Sequence, residues 1–331
     1  MQILNRAEGV LTGLALGDAA GMPFEMMYKE KIRKIRADGQ FFYEIPDESF
    51  LKRDLKKAKV TDDTLLTMHL AEFLTTNNID FSKEDYFSDL AEYINTNNLI
   101  TKGIIGPSTG RTIMKISRNE KITLSERAGF SSGLPMKVTP LGIIFDIKDQ
   151  EKILNTLEKL AYYSHYTDSA VSAAAGVTAF ISSALAGSSI KQIFDEVLGF
   201  MKKAESCALK TFQPSSYQRV KFLYSYLEKF EDDKDSLDFL SEVMGTGINS
   251  YEVVPAALMV FKLFSNQPLK AINAAVELGG DTDTIAALTG AFTGAYNGIS
   301  SFTKGPLAKL AEVNEFDFKN TAEELLKLKE N

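Results

Sequence analysis

Glycine recurs at every fourth position along a helical stretch near the start of the chain, at Gly9, Gly13, Gly17 and Gly21. On a helix that spacing puts all four on one face, where another backbone can approach closely. Glycine in a helix interior costs roughly 1 kcal/mol against alanine, so its repetition calls for packing that a larger residue would forbid. A second stretch carries the same device. Gly290 and Gly294 lie in a helical pattern from Asp283 to about Tyr296, the last clear core helix, with Gly298 just beyond.

Helical periodicity also dominates between these stretches. Residues 4–20, 61–76, 86–97, 149–163, 168–187, 189–204, 214–230, 236–244, 252–265 and 267–277 read as helices. Only residues 40–46, QFFYEIP, have the alternation of a strand. Residues 29–59 are basic and irregular and read as a solvated excursion, while Gly, Ser, Thr and Pro mark loops at 103–112 and 129–140. Neither a low-complexity linker nor a repeat of 20–50 residues divides the chain. The expectation is one compact all-α domain over residues 1–331.

Thirty-seven basic residues face 44 acidic ones, a formal charge of −7, which argues against a general affinity for nucleic acid or anionic membrane. Cys207 is the sole cysteine, which excludes intramolecular disulfides and Cys-rich zinc sites. With only His69 and His165 besides, a metal site must be built mainly from oxygen ligands, favouring Mg²⁺, Mn²⁺ or Ca²⁺ over Zn²⁺. The first residues, MQILNRAEGV, lack the pattern of a signal peptide. The apolar stretch Ala170 to Ala186 is broken by Ser172, Thr178, Ser182 and Ser183 and reads as a buried helix rather than a membrane span. The expectation is a cytoplasmic monomer.

Two segments concentrate oxygen ligands at helix starts. In Val60-Thr61-Asp62-Asp63-Thr64 a helical pattern follows at once, and in Gly279-Gly280-Asp281-Thr282-Asp283-Thr284 a second helix begins with alternating acids and threonines. Taken singly, each is explained by capping and by the helix dipole. If the glycine-faced helices pack together the two clusters converge, and four acids cannot sit close together ionised without a cation between them. Two divalent ions, about 3.5–4 Å apart, suit that ligand count.

A third segment, Gly17-Asp18-Ala19-Ala20-Gly21-Met22-Pro23-Phe24-Glu25, ends a helix and then presents an isolated acid, Glu25, to a ligand. The loops Gly106-Pro107-Ser108-Thr109-Gly110-Arg111 and Ser131-Ser132-Gly133-Leu134-Pro135-Met136-Lys137 offer free N–H groups, hydroxyls and a cation each, a combination that wraps phosphates. Ser164-His165 stands at the entrance to the small-residue helix. His69, one turn into the Asp62/Asp63 helix, reads as a core residue or as support behind the metals.

These blocks together resemble the ADP-ribosylglycohydrolase family, which includes the dinitrogenase-reductase-activating glycohydrolases. GLALGDAAGMPFE, TDDT, GPSTGR, a loop like GNGAxMR, the Ser-His pair and GGDTDTIAALTGAFTGAYNG run in the family's order, from Gly9 to Gly298. The resemblance implies an orthogonal helical bundle with two Mg²⁺ or Mn²⁺ ions in a central cleft. By position Thr61, Asp62, Asp63, Asp281, Asp283 and Thr284 match the metal ligands. Glu25 matches the acid that gates the substrate. Gly106, Ser108, Thr109, Ser132, Gly133 and Met136 lie in the loops that match those binding ADP-ribose, and His165 matches a residue near the distal ribose or diphosphate. Ser132 replaces the usual Asn of the second loop, Lys137 its Arg, and Pro135 a smaller residue; lysine cannot offer arginine's bidentate fork.

The activity so implied is hydrolysis of the N- or O-glycosidic bond between ADP-ribose and a protein side chain or small molecule, with Asp63 or Asp283 assisting the attacking water. Two alternatives stay open. One is an N-glycosidase acting on a free nucleoside or nucleotide derivative, which the Ser132 and Lys137 departures keep alive. The other is a non-catalytic, crystallin-like ADP-ribose-binding protein.

Overall fold

The computed structural model describes residues 2–329, and among them no strand is formed. The glycine-faced helices, Gln2–Gly21 and Thr282–Asn297, are packed against each other from Gly9 to Gly21 of the first. A Cβ on Gly9 would strike the carbonyl of Gly294, one on Gly13 that of Gly290, one on Gly17 that of Ala286, and one on Gly21 that of Thr282. The partner number falls as the residue number rises, so the helices run antiparallel. The end of the first helix therefore lies beside the start of the second.

Around this pair stand Asp168–Leu185, Ser250–Phe264 and Pro268–Val276. Asp168–Leu185 is long and apolar enough to cross a membrane but is buried in the protein along its whole length. Its alanines, glycine and serines let neighbours close in, with the Ser172 and Ser182 hydroxyls donating to the Met201 and Phe145 carbonyls. Every helix expected from periodicity is present, with ends shifted by no more than a few residues.

Four expectations need correcting. Residues 40–46 have no strand partner; they form a turn in which Gln40 and Tyr43 bond to Asp38. A lone strand leaves its ladder unpaired, so alternation alone is insufficient. The loop at 103–112 is half helix, since Pro107–Ser117 starts at Pro107. The loop at 129–140 likewise contains a helical turn at Pro135–Lys137 and the beginning of a short helix, Thr139–Ile144. The basic excursion is not uniformly solvated. Lys29 is buried against Asp238 and Glu242, and Arg36 packs over the rings of Phe24 and Tyr43. Beyond the last expected core helix, Lys304–Val313 and Phe318–Lys329 close the fold, the latter against Gln2–Gly21 and Asp62–Asn77.

Candidate active site

The antiparallel glycine seam decides where the acids go. At the end of the first helix Asp18 is fully buried and accepts hydrogen bonds from the N–H and hydroxyl groups of both Thr61 and Thr64, at 2.6–3.1 Å. One carboxylate thus anchors the start of Asp62–Asn77. Thr61 gives its hydroxyl hydrogen to Asp18 and keeps its oxygen lone pairs. Sequence reasoning missed Asp18, although it sits inside the GDAAG block; the signal is an acid within an otherwise small, apolar helix face. Asp18→Asn is expected to cost about 1–3 kcal/mol, because an amide NH₂ would face donors instead of accepting from them. A thermal melt within error of wild type would refute this role.

The second acid cluster is held just as tightly. Gly279 and Gly280 have φ of 77° and 81°, and side chains on them would strike the carbonyls of Met27 and Thr246. That close approach lets Asp281 N–H donate to Thr246 O at 2.8 Å and Met26 N–H to Gly280 O at 2.7 Å. Met26 adopts a left-handed φ of 63° in consequence, and Glu25, next to it, is thereby fixed beside the 279–284 turn. Oxygens of Glu25, Asp281 and Asp283 lie within 4.8 Å of one another. Asp62, Asp63 and Thr284 line the same cavity, and the Thr284 hydroxyl donates to Asp63 Oδ2 at 3.3 Å.

Capping does not explain these starts. Neither Thr61 nor Asp281 makes a side-chain cap to its own helix, whereas Ser82, Thr167, Ser189 and Ser215 all do so at ordinary starts in this chain. Asp63 Oδ1 is buried with no hydrogen-bond partner. Burial, reinforced by Glu25, pushes Asp62 up to about 7 and Asp281 up to about 6. Burial also holds Asp63 and Asp283 well above the usual carboxylate range, with Asp18 adding to it for Asp63 and Glu25 for Asp283. A hard, all-oxygen donor set with an orphaned anionic oxygen fits divalent cations of the Mg²⁺ or Mn²⁺ kind.

The expected loop residues surround this acid floor. Gly106, Ser108, Thr109, Ser132, Gly133 and Met136 all line the cavity. Gly106 N–H donates to Asp62 Oδ2 at 3.2 Å, and the Ser132 hydroxyl to Asp281 Oδ2 at 3.2 Å, so each loop is tied to one acid cluster. The second loop is braced from both sides, by Gly129 N–H to Ser164 O and by Ser132 N–H to Ile248 O.

Two residues, His165 and Lys137, lie elsewhere than the sequence suggested, whereas His69 matches its core reading. His165 is behind the loop rather than in the cavity wall; its Nε2 meets Ser131 Oγ and its Nδ1 meets Ser164 Oγ, both at 2.9 Å. Burial lowers it to about 3, so it is neutral. A Cβ on Gly133 would strike the His165 ring, so the imidazole shapes the loop from beneath. Lys137 is 1% exposed, outside the cavity lining, with its ammonium 5.3 Å from the Tyr86 ring centre. His69 is a core residue, its Nε2 2.7 Å from Asp89 Oδ2 and away from the acid clusters.

Arg53 comes from the segment read as solvated. Its Nη1 lies 2.5 Å from Glu25 Oε2 and 3.9 Å from Asp283 Oδ2, and its Nε donates to Gly103 O at 3.2 Å. Burial opposes its charge, but Glu25, Asp283 and Asp62 more than offset that.

Comparison with known proteins gives a consistent result. Residues 1–331 match the family model described as ADP-ribosylglycohydrolase. An uncharacterized protein, YegU, of Escherichia coli strain K12 is 26% identical over 98% of this chain and 97% of its own. The ADP-ribosylhydrolase ARH3 of Homo sapiens is 25% identical over 89% of this chain and 86% of its own. A solved structure titled "ADP-ribosylglycohydrolase-related protein complex" superposes with a TM-score of 0.67 at 20% identity, covering 99% of both chains, which establishes the fold.

Proposed function

The chain belongs to the ADP-ribosylglycohydrolase family, and from that premise we propose that its acid floor holds two divalent cations, Mg²⁺ or Mn²⁺, with which it releases ADP-ribose from a modified side chain or small molecule. As a family member it is an ADP-ribosyl glycohydrolase, an enzyme that hydrolyses ADP-ribose linkages. The metals and the acceptor are the finer part of the reading.

One observation carries it: five acids, Glu25, Asp62, Asp63, Asp281 and Asp283, line a single cavity, four of them at two helix starts whose N-cap residues, Thr61 and Asp281, make no side-chain cap. In this reading Thr61, Asp62, Asp63, Asp281, Asp283 and Thr284 hold the cations. Bound there, divalent ions offset the clustered negative charge and lower the pKa of a water molecule. The chain's own residues supply the rest. Asp63 or Asp283 takes the proton of the attacking water, and Ser132, tied to Asp281, keeps the second loop against the acid floor. The N–H groups of Ser108 and Thr109 at the start of Pro107–Ser117, with that of Gly133, serve the cavity as an anion cradle. Glu25, beside Asp281 and Asp283, gates the substrate. The burial of Lys137 removes one reason for invoking a different ligand, since the Lys-for-Arg departure does not face the cavity.

Incubation with ADP-ribosyl-arginine, ADP-ribosyl-serine and NAD, with Mg²⁺, Mn²⁺ or chelator, tests the proposal. Release of ADP-ribose that chelator abolishes is the expected result. Equal release in chelator would reject the metals, and no release from any compound would reject the acceptor class.

Metal also changes stability, in a pH-dependent way. Asp62 and Asp281 sit at about 7 and about 6 instead of 3.8. The folded state therefore binds more protons than the unfolded one between about 3.8 and those values, and the metal-free protein loses stability as pH rises from about 4 to about 7. At pH 7.5, cation at a hundredfold excess over its Kd should add about 2.7 kcal/mol, roughly 4 °C in Tm for a chain of this length. The shift should shrink by pH 5.5, where protons compete for the same oxygens. Melts that respond to neither pH nor metal would contradict the site.

A further inference from the structure

Arg53 is the only basic side chain among the described residues lining the acid cavity, and it comes from a segment with no helix of its own. Its guanidinium touches Glu25 at 2.5 Å and reaches Asp283 at 3.9 Å, so it bridges two of the three acids whose oxygens lie within 4.8 Å of one another. It is 12% exposed, and Leu51 of the same segment lines the cavity with Ile104 and Ile105. A cation so placed offsets the charge of Asp283, which a divalent ion would also need, and of Glu25 beside it. Two positive species cannot share Glu25 and Asp283 at this distance in a partly buried site without strong repulsion.

We propose that Arg53 is a built-in counter-cation that competes with divalent ions for the acid floor and so sets their affinity. When a divalent ion binds, Arg53 withdraws from Asp283 and Glu25, carrying the 50–53 segment with it. The proposal rests on the reading that Asp283 and its neighbouring aspartates hold divalent ions. It goes beyond that reading by assigning a competitor to a residue outside the ligand set.

The test is calorimetric Mg²⁺ titration of the full chain as wild type, Arg53→Gln and Arg53→Lys. Arg53→Gln removes the competing charge and should tighten Mg²⁺ binding about tenfold, while its melt in chelator falls and its melt in saturating Mg²⁺ matches wild type. Arg53→Lys keeps the charge and should bind Mg²⁺ within about threefold of wild type. Unchanged or weaker binding by Arg53→Gln, or equal tightening by both variants, overturns the proposal. A wild type with no Mg²⁺ response fails the metal reading itself, which distinguishes the two failures.

The chain has no tryptophan, and Phe50 is 75% exposed, so Phe50→Trp gives a unique fluorophore on the moving segment. Mg²⁺ should shift its emission when Arg53 is present and not in the Arg53→Gln background. Emission unchanged by Mg²⁺ in both backgrounds would overturn the withdrawal.

Discussion

Asp283→Asn is expected to lower turnover by about a thousandfold or more, roughly 4 kcal/mol of transition-state stabilisation, while leaving the fold intact. Asparagine has nearly the same shape and is well tolerated at a helix start. It keeps an Oδ1 acceptor for the Thr284 N–H, the bond that Asp283 makes at 3.0 Å. It removes an anionic oxygen from a group crowded by Glu25, Asp281 and Asp63, all of which raise Asp283. The metal-free variant should therefore melt at or above wild type. Replacing a group that merely supports a ligand costs about 10–100-fold in metal affinity, so loss of the carboxylate itself should cost at least about 100-fold. Turnover, metal titration and a chelated melt on this one variant separate a ligand from a helix-start residue. Wild-type turnover would remove Asp283 from the mechanism.

The second large effect is a single methyl group with opposite signs at two glycines. Gly17→Ala is expected to destabilise the protein by more than about 3 kcal/mol, above the usual range for overpacking. The new Cβ would meet the carbonyl and backbone of Ala286, and no rotamer change can relieve a clash between two main chains. The helices must part, and Asp18, one residue on, would leave Thr61 and Thr64. Gly199, in the helix Ile190–Glu205, has open space where a methyl group would stand, with nothing within 4 Å, and no left-handed φ. Gly199→Ala should therefore stabilise by about 0.5–1 kcal/mol, the ordinary gain in helix propensity. Denaturant melts of both variants test the pair. Similar midpoints would mean that the seam tolerates separation.

Much of this is readable from local pattern. The glycine spacing and the paired helix starts are short-range signals, and the fold brings both clusters to one cavity through the seam the spacing implies. Glu25 and the residues of both loops are legible for the same reason, each standing within a compact block. Arg53 is not, because its partner Glu25 is 28 positions away and nothing in LKRDLKKAK distinguishes it from the lysines beside it. Asp18 is visible in its block, but its role depends on Thr61, 43 positions away. Pro107–Ser117 looks like loop at its start because Ser108, Thr109 and Gly110 are weak helix formers, yet Pro107 suits the first helical turn and the buried Ile113 anchors the helix. His165 and Lys137 stand one layer further back than their blocks suggest. Sequence shows that a residue neighbours a loop, and packing decides which side of it.

The seam joins residues 9–21 to residues 282–298, so the Glu25 and Asp281–Asp283 sides of the cavity meet only when segments far apart in the sequence pair. During synthesis the first helix leaves the ribosome with its glycine face bare, and its partner follows more than 250 residues later. At about 5–20 residues per second, that gap lasts roughly 13–50 s or more. Until it closes, the nascent chain has neither its acid floor nor its central helix pair. Such distant pairing makes folding slow, and the first helix must be shielded or held transiently by other segments before its own partner arrives.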